Sequence, residues 1–133
     1  MKFGIQQFGL REAAKNAKCA KTSLDKIKEW GFDGIELNAF MMGKLSFAVR
    51  MLCKMAGMPV GNGDVDWKEE VLSRGLEVIS YHKDLNGTLN EPAKTAEDAK
   101  ALGTKYVNFE VDTYWLSECG VDAKLLLKSL ATG

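Results

Sequence analysis

Short apolar runs alternate along this chain with longer stretches whose apolar residues recur at helical spacing. Four runs predict strands: residues 3–8 (FGIQQF), 34–38 (GIELN), 76–82 (LEVISYH) and 105–111, the last reaching Asp112 at most. Between the first two, Thr22 or Ser23 is placed to cap a helix through Glu29, with Leu24, Ile27 and Trp30 as its apolar stripe and Gly31 as its left-handed stop. Residues 45–55 predict a helix with Leu45, Val49, Leu52 and Met55 or Ala56 on one side. Residues 57–63 predict a loop, because glycine and proline punctuate them densely. Asp66 caps a short helix bearing Trp67, Val71 and Leu72, which Gly75 ends. Glu91 and Pro92 open a helix with Ala96, Ala99 and Leu102 on its apolar face, and Gly103 closes it. A last helix is capped by Asp122 and carries Leu125, Leu126 and Leu130. Short apolar strands alternating with amphipathic helices predict an α/β domain with a parallel sheet, as one unit over residues 1–133.

Alternation along each strand sorts its side chains onto two faces. Phe3 and Ile5 oppose Gly4 and Gln6; Ile35 and Leu37 oppose Glu36 and Asn38; Ile79 and Tyr81 oppose Ser80 and His82; Val107, Phe109 and Val111 oppose Asn108, Glu110 and Asp112. One face of every strand suits helices, and the other turns polar toward the C-terminal end. A doubly wound sheet is apolar on both faces, whereas a barrel wall meets helices on one side and a polar-topped lumen on the other. Gln6, Glu36, His82 and Asp112 all fall at the end where a barrel carries its site.

Composition narrows the field. With 46% apolar and 27% charged residues the chain is of globular type. Eighteen basic residues balance eighteen acidic ones, which argues against a dedicated binder of nucleic acid or anionic membrane. No apolar run matches a membrane span, and the opening MKFGIQQFGLRE has no signal-peptide core. Cys19, Cys53 and Cys119 are odd in number and lack CxxC spacing, so neither a disulfide framework nor a structural zinc site is expected, and a cytoplasmic location fits. Cys53 reads as a small buried apolar residue. The methionines 41, 42, 51, 55 and 58 read as core filler, and the lysines between 15 and 28 as a solvated helix face. The glycines of 57–63 match neither a P-loop nor a dinucleotide fingerprint. A lone histidine at a strand end is commonly a structural hydrogen-bonding group, but His82 shares its face with other polar residues.

The segments FGIQQFGLRE, LDKIKEWGFDGIELN, GLEVISYH, EDAKALGTKYV and FEVDTYWLSECGVD, in this order, resemble the sugar phosphate isomerase/epimerase family, the xylose isomerase-like TIM barrels. The resemblance spans nearly the whole chain. It implies a divalent metal (Mn, Co, Mg or Zn) that chelates adjacent oxygens of a small sugar or sugar phosphate, with glutamates moving a proton through an enediolate. Asp112, in the DTYW tetrapeptide, matches the family's aspartate metal ligand, and His82 matches a position facing the substrate. Gln6, His82 and Trp115 are the substrate-binding candidates that follow, and His82 with Glu36 the catalytic ones.

The chain also departs from that family. Val107 runs through Asn108 directly into Phe109, as though a fourth strand were fused to a sixth, and two glutamate ligands and a histidine ligand have no counterparts. A complete barrel takes about 250 residues. The expectation is a half barrel of about four parallel strand–helix units, closed by homodimerisation about the barrel axis. Two functions stay open: an isomerase or epimerase with a site rebuilt at the dimer mouth from Glu36, His82 and Asp112, or a non-catalytic barrel remnant that dimerises or binds a sugar. On its own the chain is expected to be inactive. Metal-dependent endonucleases share the fold, but neutral charge and a single histidine speak against nucleic acid.

Overall fold

The structure, a computed structural model, describes residues 1–57 and 64–110 together with residues 120, 122, 124, 125 and 128. Strands β1 (Gly4–Gln6), β2 (Gly34–Asn38), β3 (Glu77–His82) and β4 (Val107–Asn108) form one sheet, all parallel, in the spatial order of the sequence. Helices α1 (Ala17–Glu29), α2 (Ala39–Met42), α3 (Phe47–Met55), α4 (Trp67–Leu72), α5 (Leu85–Asn90) and α6 (Pro92–Leu102) make the connections. None of the described helices is long and apolar enough to cross a membrane.

The core lies between one face of the sheet and α1 and α4. Leu24, Ile27, Ile35, Leu37, Val71 and Leu76 are almost fully buried there, with Trp67 and Val78 beside them. Each such aliphatic side chain contributes roughly 1.5–3 kcal/mol by leaving water. An ion-pair network ties the outer sides of the same helices: Glu70 of α4 meets Lys21 of α1 at 2.7 Å, and Arg74 bridges Glu70 and Asp25. The ammonium of Lys21 and the guanidinium of Arg74 hold the Glu70 carboxyl below its ordinary range.

Local chemistry moves several boundaries from their predicted places. The first strand is shorter than residues 3–8, because Gln7–Leu10 turn into a 3-10 helix whose Gln7 is buried and accepts the Asn38 N–H at 2.7 Å. Asn16, not Thr22 or Ser23, caps α1, accepting from the Cys19 N–H at 2.9 Å. Thr22 and Ser23 instead donate to the carbonyls of Lys18 and Ala13. Trp30, predicted as part of the apolar stripe, instead stands 65% exposed, and the buried stripe consists of Ala20, Leu24 and Ile27. Left-handed glycines end α1, α4 and α6 at Gly31, Gly75 and Gly103, as read from sequence.

Helix α3 begins at Phe47, capped by Ser46, and turns its predicted apolar side outward: Val49, Leu52 and Met55 are exposed while Cys53 is buried. Among the methionines, Met41 is core, but Met51 and Met55 are exposed, and Met58 lies outside the described residues. Asp66 caps α4 as expected, with Trp67 and Val71 buried and Leu72 about half exposed. The unpredicted α5 starts at Asp84, which accepts the Gly87 N–H at 2.8 Å. In α6 the buried residues are Thr95 and Ala99, whereas Ala96 is exposed. The fourth strand is shorter than predicted, Val107–Asn108: Lys105, Tyr106, Phe109 and Glu110 are described but not in the strand, and Val111 and Asp112 lie outside the described residues. Asp122 accepts from the N–H groups of Lys124 and Leu125, in the manner of a cap.

One irregularity sets the geometry of the opposite face. Ile35 pairs with Val78 but Glu36 with Ser80, so Ile79 is an extra residue in β3, a β-bulge. Strict alternation predicted Ile79 beside Tyr81 on the helix side. The bulge instead turns Ile79 over Gly4 and Gly34, where a Cβ on either glycine would overlap its side chain.

Candidate functional site

On the side opposite the α1 and α4 core, the sheet lines an open depression of about 1020 Å³, with Lys100 and Gly103 at the end of α6 on its rim. Ile79, over the two glycines, forms its apolar part, and polar residues occupy the next level toward the C-terminal strand ends. Register places Gln6, Glu36 and Ser80 side by side across β1, β2 and β3, and Asn38, His82 and Asn108 one level further along.

Glu36 is the hub. Its Oε1 accepts from Gln6 Nε2 at 2.8 Å, and its Oε2 accepts from Ser80 Oγ at 2.7 Å and from Asn108 Nδ2. Asn108 Nδ2 also reaches Ser80 Oγ at 3.1 Å. All four strands thus converge on one carboxylate. His82 Nδ1 stands 3.7 Å from Glu36 Oε1, close enough for charge attraction and too far for a hydrogen bond. Both side chains are largely shielded, about 15% exposed.

Burial pushes the Glu36 carboxyl up, but the hydrogen bonds from Ser80, Gln6 and Asn108, with the nearby imidazole, outweigh it and hold the group below its ordinary range. Glu36 is therefore a fixed anion: a strong acceptor and a weak base. Tyr81, on the helix side of the same strand, is pushed up to about 12 by burial and by the carboxylates of Asp98 and Asp84, so it holds its proton. His82 lines a second, smaller depression with Asn38, Phe40 and Asp84.

Of the residues singled out from sequence, Gln6, Glu36 and His82 are brought together; Asp112 and Trp115 lie outside the described residues. Ser80 and Asn108 complete the cluster and had no role assigned from sequence, although both share the strand parity of His82 or Asp112. Among the described residues no three His, Cys, Asp or Glu side chains converge as metal ligands would. Glu36 already accepts hydrogen bonds at both oxygens. The described donor set therefore does not fit a divalent ion, whose site needs several free oxygen or nitrogen ligands. Comparison with known protein families, with curated proteins and with solved structures finds no match to this chain.

Proposed function

We propose that this chain is half of a β/α barrel of the sugar phosphate isomerase/epimerase type, and that its inner face binds a small sugar without turning it over. The observation that carries the reading is the Glu36 hub: one ionised carboxylate on the face opposite the α1 and α4 core, held by groups from the three other strands, with an imidazole beside it. The strand order supports the barrel half. Doubly wound folds reverse direction at a switch point in the sheet, while a barrel wall runs β1-β2-β3-β4 without reversal, as here.

The polar level suits a polyhydroxy ligand. Three donors leave Glu36 about one of its four acceptor positions for a sugar hydroxyl, and Gln6 and Asn108 supply amide groups that hydrogen-bond either way. The depression leaves room for such a molecule. Proton abstraction from carbon needs a stronger base than a carboxylate held down by three donors. This is why binding, rather than isomerisation, follows from the hub. The four-stranded sheet completes its barrel by pairing with a second copy about a twofold axis along the barrel, which brings two hubs to one lumen.

Titration of the purified protein with pentoses, hexoses and their phosphates, read by ligand-observed NMR, tests the proposal. Saturable binding of at least one sugar, lost in Glu36→Gln, is expected; absence of binding across the panel overturns it. Metal content decides the catalytic alternative. A stoichiometric divalent ion that disappears with Asp112→Ala, together with isomerisation of a bound sugar, would replace binding by enediolate catalysis.

A further inference from the structure

The chain as a whole is neutral, yet its charges are not evenly spread. From Ala39 to Gly63 there is no acidic residue, while Lys44, Arg50 and Lys54 are basic. Helix α3 lies in this stretch and carries the most concentrated exposed apolar surface among the described residues. Phe47, Met51 and Met55 follow one another at every fourth position and are 82%, 48% and 81% exposed. Leu52, 67% exposed, and Ala48 widen the stripe, and no polar side chain interrupts it. Cys53, on the other side, is buried against the body of the protein. Lys54 is exposed beside the stripe and Lys44 just before the helix, and neither forms an ion pair with another described residue.

We infer that α3 docks this protein on an anionic lipid surface, with Phe47, Met51, Leu52 and Met55 set into the headgroup boundary and Lys44 and Lys54 against the lipid charges. Charge complementarity points to this occupant. The charged residues of the stripe's own segment are all cations, so two copies of it repel, whereas anionic headgroups attract it. The shape agrees, because the stripe is a convex helix side, which enters a fluid interface readily and would need a matching groove on a protein partner. Long apolar side chains on one side and basic ones at its border are the composition of helices that lie in the membrane interface. The inference is independent of the sugar-binding reading, since α3 contributes no residue to the Glu36 hub.

Flotation with phosphatidylcholine vesicles, with and without about one quarter phosphatidylserine, tests it at low salt and at about 0.5 M salt, where surface charge is screened. The protein is expected to float with the phosphatidylserine vesicles alone and to be released by salt. Lys44→Glu with Lys54→Glu should weaken binding more than tenfold, from roughly fivefold for each charge removed. Phe47→Glu with Leu52→Glu should abolish it. All four positions are exposed, so circular dichroism is expected to be unchanged in these variants. Failure to float with phosphatidylserine vesicles overturns the inference, as does equal binding to neutral vesicles or binding that survives both variants. If the apolar variant instead dissociates an oligomer and leaves vesicle binding intact, the stripe faces a second copy, and the inference is likewise overturned.

Discussion

Glu36 stands where four strands meet, and its hydrogen bonds make it a stabilising group whatever ligand the face accepts. Replacing it by glutamine keeps the shape but turns an amide N–H₂ toward donors that need an acceptor. Glu36→Gln is therefore expected to lower stability by about 1–3 kcal/mol at neutral pH, read from urea unfolding. The pH dependence has a definite sign. Folding holds this carboxyl below its ordinary value of 4.5, so its contribution is fully present above that value and is lost as the pH falls through the folded value. The stability gap between the parent and Glu36→Gln should narrow as the pH drops below 4.5. A gap that stays constant through the acid range would show that the ionised form is not what matters.

The two glycines beneath Ile79 make a second contrast. At Gly34 a new Cβ meets the backbone carbonyl of Glu77 as well as Ile79 Cγ1, and backbone cannot swing aside. At Gly4 the severe overlap is with the tip of the Ile79 side chain, which can adopt another rotamer. Gly34→Ala should cost roughly 1–3 kcal/mol and Gly4→Ala distinctly less, measured by thermal unfolding. Equal costs would mean that Ile79 cannot move. Parity along single strands already put Gln6, Glu36 and His82 on the polar face. The partnership of Glu36 with Ser80 and Asn108 was not legible, because lateral register depends on where the intervening helices deliver each strand.

Among the elements, β2 was readable to its ends, since Gly31 stops the preceding helix and Asn38 caps the next by accepting the Phe40 N–H. In α1 the buried positions run Ala20, Leu24, Ile27, spacings of four and three, and the next position in that series is Gly31 rather than Trp30. The large apolar residue was thus assigned to a stripe it misses by one position. Leu24→Ala should cost about 2–5 kcal/mol, while Trp30→Ala should change stability by no more than about 0.5 kcal/mol, both measured by chemical denaturation. In α3 the sequence FAVRMLCKM is apolar on two sides, with Arg50 and Lys54 its charged residues. Its period specifies a helix and leaves open which side meets the protein; Cys53 took the inner place.

For the whole molecule, the sheet is all parallel in sequential strand order with helices packed on its core face, an arrangement compatible with part of a β/α barrel. The proposed twofold dimer predicts a mass near twice 14.7 kDa by light scattering at micromolar concentration. A monomer with intact secondary structure under those conditions would remove the closed-barrel assembly, while leaving the sugar titration to judge the site by itself.

The four strands and their order, the caps at Asp66 and Glu91, the glycine stops at Gly31, Gly75 and Gly103, and the polar side of each strand were legible in the sequence alone, because pleat, helical period and capping act between residues a few positions apart. Tertiary structure decided the rest: that a bulge turns Ile79 over two glycines, that Gln6, Ser80 and Asn108 converge on Glu36, and that α3 shows solvent its larger apolar side. Each of these depends on how segments distant in the chain are packed against one another, and packing is settled by shape and burial that no local pattern contains.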